Sequence, residues 1–370
     1  MDRDKTIIRT SVVGIVTYLF LAGFKAFVGL LAGSIAIIMD AVNNLSDVLS
    51  SVITIAGTKL SARPADAKHP FGYGRIEYLT AIVIAIIVLI AGASSLIESI
   101  KKIFYPIEPT YTTATLIIIV VAILVKVILG LYVKRKGQQL KSDALIASGA
   151  DALFDSIITL ATLISAGIML IWQVNVDGIF GTLISLVIIK AGIEMLGSPI
   201  SQLLGKGVPR EIYETLRSNV LDYPEVHGVF DIILNYYGPN VIIGSLHINV
   251  LDTMTSRDIH RLTRAITLDM LNKNGIIVTI GIYAINTHGE QAEIQKKVMS
   301  AVSGMENVGS LHAFYYYEDK KLVTLDVVPH SYVHDDNAFR EMIQKELKAL
   351  YPNFEFDIII DHNYLEKEDK

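Results

Sequence analysis

The chain has 370 residues, 52 % of them hydrophobic, no cysteine and a formal net charge of -5. Its mean hydropathy of +0.47 lies well above that of a soluble domain and indicates a membrane protein. The lack of thiols excludes disulfides and thiolate metal ligands, and the mild acidic balance carries no nucleic-acid signature.

The opening "MDRDKTIIRT" runs into a long apolar stretch without a small-residue cleavage site, so it reads as a retained first helix. A membrane-crossing helix needs about 20 apolar residues. Six stretches qualify: 8–31, 34–57, 77–100, 112–134, 144–171 and 178–200. Lys59, Arg63, Lys68 and Arg75 fall between the second and third, and Lys134, Arg135, Lys136 and Lys141 between the fourth and fifth. With Arg3, Lys5 and Arg9 at the start, the positive-inside bias predicts that both termini are cytoplasmic.

The second stretch contains "DAVNNLSDVLS", 40–50. On a helix, Asn43 and Asp47 stand one turn apart and Asp40 lies near the same stripe. The fifth stretch repeats the device in "DALFDS", where Asp151 and Asp155 are four residues apart. Each Asp at mid-membrane costs roughly 2.5 to 3.5 kcal/mol, so several together call for a compensating cation. Asp40, toward the start of its helix, suits an entrance position beside the ligands. Asp143 reads as a helix cap. Lys126, Lys190 and Glu194 also stand in apolar context and receive no role.

Together, "GSIAIIMDAVNNLSDVLSS", "DAKHPFGYGRIE" and "SGADALFDS" resemble the cation diffusion facilitator family, six-span transporters that move divalent metals out of the cytoplasm. The resemblance implies a transport site of two residues from each of spans 2 and 5, here Asn43, Asp47, Asp151 and Asp155. Zinc-transporting relatives usually carry a His in this quartet. An amide with three carboxylates looks like the manganese exporters, and hard oxygen ligands suit Mn2+. Proton antiport is a further implication. Fe2+, Co2+ and Zn2+ stay open as cargo, because an all-oxygen site does not exclude them by affinity.

In the following loop, Asp66 and His69 can reach one ion if the segment turns, forming an accessory site. Relatives commonly have a second His where Tyr73 stands, which weakens that site. Many also carry an Asp at the position of Gly205.

Beyond "GKGVPRE", 205–211, the order helix, strand, strand, helix, strand occurs twice, at an offset of about 80 residues. Each copy resembles the family's ferredoxin-like domain. Of the His set that holds regulatory zinc in relatives, His247 and His260 persist, while Phe230, Gly281 and Tyr283 fill other positions.

The expected fold is therefore a six-helix transmembrane all-α domain, 1–205, followed by an α+β cytoplasmic domain of two ferredoxin-like lobes, 206–287 and 288–366. The expected activity is Mn2+ efflux coupled to H+ by a homodimer in a bacterial plasma membrane, with no cofactor and no enzymatic step. The rival is a metal sensor signalling through the doubled domain. An intramembrane aspartyl hydrolase is disfavoured, since no catalytic motif accompanies the carboxylates.

Overall fold

The computed structural model describes residues 2–31, 35–105, 113–172, 176–239 and 241–361. The chain divides into two compact units, one of residues 1–206 with 237–240, the other of residues 207–236 with 241–370.

The first unit is helical: α1 (Asp2–Leu31), α2 (Ile35–Ser61), α3 (Ile76–Phe104), α4 (Thr113–Gln139), α5 (Asp143–Trp172) and α6 (Asp177–Leu203). Among the described residues, α1, α3, α4, α5 and α6 are long and apolar enough to cross a membrane. The sixth, α2, has 27 residues. Its buried groups include Asn44, Ser50, Ser51, Thr54 and Thr58, a polar stripe recurring at helical spacing.

Small residues set how closely the helices approach. A Cβ on Gly149 would stand 2.5 Å from the Lys134 backbone nitrogen, so α4 and α5 meet backbone to backbone. Between α3 and α6, a Cβ on Gly192 would lie 2.7 Å from Leu89. The helix ends are tied by Arg3, whose guanidinium donates to both oxygens of the buried Glu77 carboxylate at 2.7 and 2.9 Å. The same side chain donates to the carbonyls of Leu140 and Lys141, linking α1, α3 and the turn before α5.

Gly205 ends α6 with φ +90°. The Lys206 N–H donates to the Ser201 carbonyl at 2.9 Å and the Gly205 N–H to that of Gln202 at 3.3 Å. This left-handed helix stop favours glycine, which gives a local reason for its presence.

The second unit contains two three-stranded sheets. The first has α7 (Arg210–Leu221), β1 (Gly228–Tyr236), β2 (Ile242–Leu251), α8 (Ser256–Asp269) and β3 (Ile276–Ile285). The second has α9 (Gly289–Ser303), β4 (Val308–Tyr317), β5 (Leu322–Pro329), α10 (Asp336–Leu350) and β6 (Glu355–Ile360). In each, the middle strand is antiparallel to the first and parallel to the third. Each sheet packs its helices over a separate apolar core, around Leu246, Ile248 and Ile266 in one and Val323, Leu325 and Ile343 in the other.

The registers align the copies residue by residue. A bulge follows Phe230, which pairs with His247, and another follows His312, which pairs with Asp326. The next residue is left-handed in both, Asp231 at φ +51° and Ala313 at φ +54°. His247 pairs onward with Gly281 and Asp326 with Ile359, so Tyr283 and Asp361 occupy matching places two residues later.

Candidate functional site

The paired carboxylates converge on a cation. Lys126, on α4, has a side chain only 6 % exposed, and its ammonium contacts Asp47 on α2 at 2.7 Å. It also hydrogen-bonds Asp155 on α5. Two acidic groups from separate helices thus share one buried positive charge. Asp151, one turn before Asp155, instead accepts from the Ser50 hydroxyl at 3.0 Å. Tyr18 on α1 closes the surroundings, with its ring centre 5.9 Å from the Lys126 nitrogen.

Asp40 and Asn43 belong to α2, but their side chains lie outside the described residues. Beside them, Asn44 is fully buried, and neither atom of its amide has a hydrogen-bond partner among the described residues. A buried amide without partners carries a desolvation cost of about 1 to 3 kcal/mol, and a bound ion is one way to meet it.

Lys126, Ser50 and Asn44 are therefore the additions to the expected set. The available signals were slight: Ser50 lies three residues beyond Asp47 and Asn44 three before it. Lys126 is alone in an apolar helix, and only tertiary packing reveals its partners.

The structure also brings the loop pair together. Asp66 and His69 approach to 3.6 Å, but the Asp66 carboxylate already accepts from the backbone N–H groups of Lys68 and His69 and from the Tyr73 hydroxyl at 2.7 Å. The Tyr73 hydrogen bond first, then the backbone ones, hold the Asp66 carboxyl below the usual carboxylate range. Here Asp66 shapes a turn, and the Tyr73 hydroxyl satisfies its second oxygen.

Residues 11–204 match the family model described as the cation efflux transmembrane domain, and residues 208–282 match that of the cation efflux protein cytoplasmic domain. The chain belongs to the cation efflux family. Similar proteins include an uncharacterized transporter of Methanocaldococcus jannaschii, 27 % identical over 69 % of this chain and 90 % of its own length. The manganese efflux system protein MneP of Bacillus subtilis is 26 % identical over 71 % of this chain and 87 % of its own. The magnetosome protein MamB of Paramagnetospirillum magneticum is 28 % identical over 59 % and 74 % respectively. This cation efflux protein thus joins a helical transmembrane domain to an α/β cytoplasmic domain, and its second sheet lies beyond the matched regions.

Proposed function

We propose that this cation efflux protein exports Mn2+ from the cytoplasm in exchange for protons, as a homodimer in a bacterial plasma membrane with both termini cytoplasmic. The ion would bind Asn43, Asp47, Asp151 and Asp155, with Asp40 at the entrance and Asn44 an additional amide donor beside them. The observation that carries this reading is the shared Lys126 ammonium: Asp47 and Asp155, from different helices, already hold a positive charge between them. An arriving divalent ion would displace that ammonium and draw in the remaining oxygens, and proton uptake by the carboxylates would accompany its release. Rocking of helices about such a central site is the general means of alternating access.

The choice of Mn2+ rests on a donor set of amide and carboxylate oxygen and on similarity to MneP and to a second manganese efflux system protein of Bacillus subtilis. The same scaffold would carry Fe2+, Co2+ or Zn2+ if cellular supply favoured them. In this reading the cytoplasmic domain has boundaries at 206–287 and 288–366, each part a ferredoxin-like lobe, and Asp66 with His69 is an accessory loop site outside the transport path.

Uptake of Mn2+, Fe2+, Co2+ and Zn2+ into proteoliposomes under an imposed pH gradient tests the proposal. Mn2+ is expected to give the highest rate and to require the gradient. Asn43→His is expected to raise Zn2+ uptake relative to Mn2+. Transport of none of the four ions by the parent protein would contradict the export reading; an unchanged preference in Asn43→His would remove that residue from selectivity.

A further inference from the structure

Net positive charge in the helical unit is densest at the end of α4. Residues 134–141 read "KRKGQQLK", four basic side chains and no acidic one. The helix has two distinct sides. Ala122, Leu129 and Val133 are at most 5 % exposed, whereas Ile128, Leu131 and Tyr132 are 68, 42 and 40 % exposed. The exposed three continue, at the same helical spacing, into Arg135, Lys136 and Gln139, and these six line one surface cleft of about 370 Å³.

The cleft is aliphatic at one end and basic at the other, with the Tyr132 ring between. Its polar end consists of donors. The Lys136 ammonium donates to the Gln139 side-chain carbonyl at 3.1 Å, which leaves its other hydrogens and the Gln139 amide nitrogen to donate elsewhere. Among the described residues, Arg135 has no ion-pair partner and no carboxylate lines the cleft. A group of guanidinium, ammonium and amide donors suits an anion.

Distances along the helix identify which anion. The stretch Leu116–Gln139 is long and apolar enough to cross a membrane, so this cleft lies at its edge. At about 1.5 Å per residue, Lys136 stands about 6 Å beyond Tyr132. The headgroup zone of each leaflet is about 5 to 8 Å deep, and tyrosine rings collect at its border with the hydrocarbon. With Tyr132 at that border, Arg135 and Lys136 reach the depth of lipid phosphates, and Leu131 and Ile128 face acyl chains.

We propose that this face of α4 seats one anionic phospholipid, its phosphate held by Arg135 and Lys136 with the Gln139 amide beside them and an acyl chain along Leu131 and Ile128. Charge complementarity selects this occupant, since a zwitterionic headgroup would bring a further cation to a cleft that already holds two. The choice of the cytoplasmic leaflet rests on the topology proposed above; the site itself does not. Lys126 stands on the buried side of the same helix, so the lipid would brace the helix that carries the counter-ion of Asp47 and Asp155.

The test uses the full-length chain purified in detergent, with phosphatidylglycerol and phosphatidylcholine as the lipids. Native mass spectrometry is expected to find one phosphatidylglycerol retained per chain in preference to phosphatidylcholine, and phosphatidylglycerol is expected to raise the unfolding temperature. Arg135→Gln with Lys136→Gln is expected to weaken that binding about thirtyfold, the effect of two charges near an anionic surface, and to abolish the shift in unfolding temperature. Lys5→Gln with Lys59→Gln removes the same charge from exposed positions elsewhere and is expected to leave both readouts at the parental value. Equal retention of the two lipids by the parent would overturn the proposal. So would undiminished binding in the Arg135 and Lys136 variant, or an equal loss in the Lys5 and Lys59 variant, which would reduce the effect to diffuse surface charge. Displacement of the lipid by glycerol phosphate at matched concentration would contradict a lipid occupant and leave a site for free anions. Neither readout involves metal flux, so failure of the transport reading would leave both unchanged.

Discussion

Lys126 gives the proposed transport site its balance of charge. Two carboxylates inside the helical unit would repel each other, and the ammonium placed between them offsets that repulsion. The same ammonium competes with any cation using those oxygens. Lys126→Met is therefore expected to tighten Mn2+ binding by about tenfold, equivalent to roughly 1.4 kcal/mol, while slowing transport because the ligands lose their internal counter-ion. Equilibrium binding in detergent set beside vesicle flux checks both halves; unchanged affinity would show that Lys126 does not compete. The positions of Asp47, Asp151 and Asp155 followed from i, i+4 spacing on apolar helices. Lys126 did not, because a lone lysine carries no spacing signal and its partners lie 79 and 29 residues away. The hydrogen bond between Asp231 and His312, 81 residues apart, was hidden for the same reason.

At the scale of elements, glycine and one buried ion pair hold the helices in register. The Gly149 contact keeps α4 against α5, the two helices that bring Lys126 to Asp155. Gly149→Val is expected to destabilise the helical unit by about 1 to 3 kcal/mol through overpacking and to depress flux, measured by thermal unfolding and vesicle uptake. Arg3→Ala should cost about 3 to 5 kcal/mol, because it strands the Glu77 carboxylate in a buried position. Adding Glu77→Gln should recover part of that loss, and a double variant no more stable than Arg3→Ala would contradict the pairing argument. Hydropathy located the helices well: the stretch read as 77–100 is Ile76–Phe104, and that read as 178–200 is Asp177–Leu203. Their ends extend further because polar residues continue a helix once its apolar part is placed. The close approach of α4 and α5 was less visible, since glycine spacing alone does not name the facing helix.

The whole molecule consists of two units with separate cores. Leu325→Ala, in the core of the second sheet, is expected to destabilise the second unit by about 2 to 5 kcal/mol. Exchange rates in α3 and α6 should remain unchanged; a parallel loss of protection there would show that the units unfold as one. The doubled strand order was legible because turn residues and strand alternation recur with the same period. The junction between the copies was not, since Phe230 against His312 is a meeting of unlike side chains at equivalent positions.

Mn2+ uptake into proteoliposomes by the parent chain, by Asp47→Ala and by Asp155→Ala tests the central claim most directly. Saturable uptake by the parent and its loss to background in both variants, with the purified proteins still folded, is the predicted result. Uptake by either variant at the parental rate would contradict a transport path through those two carboxylates.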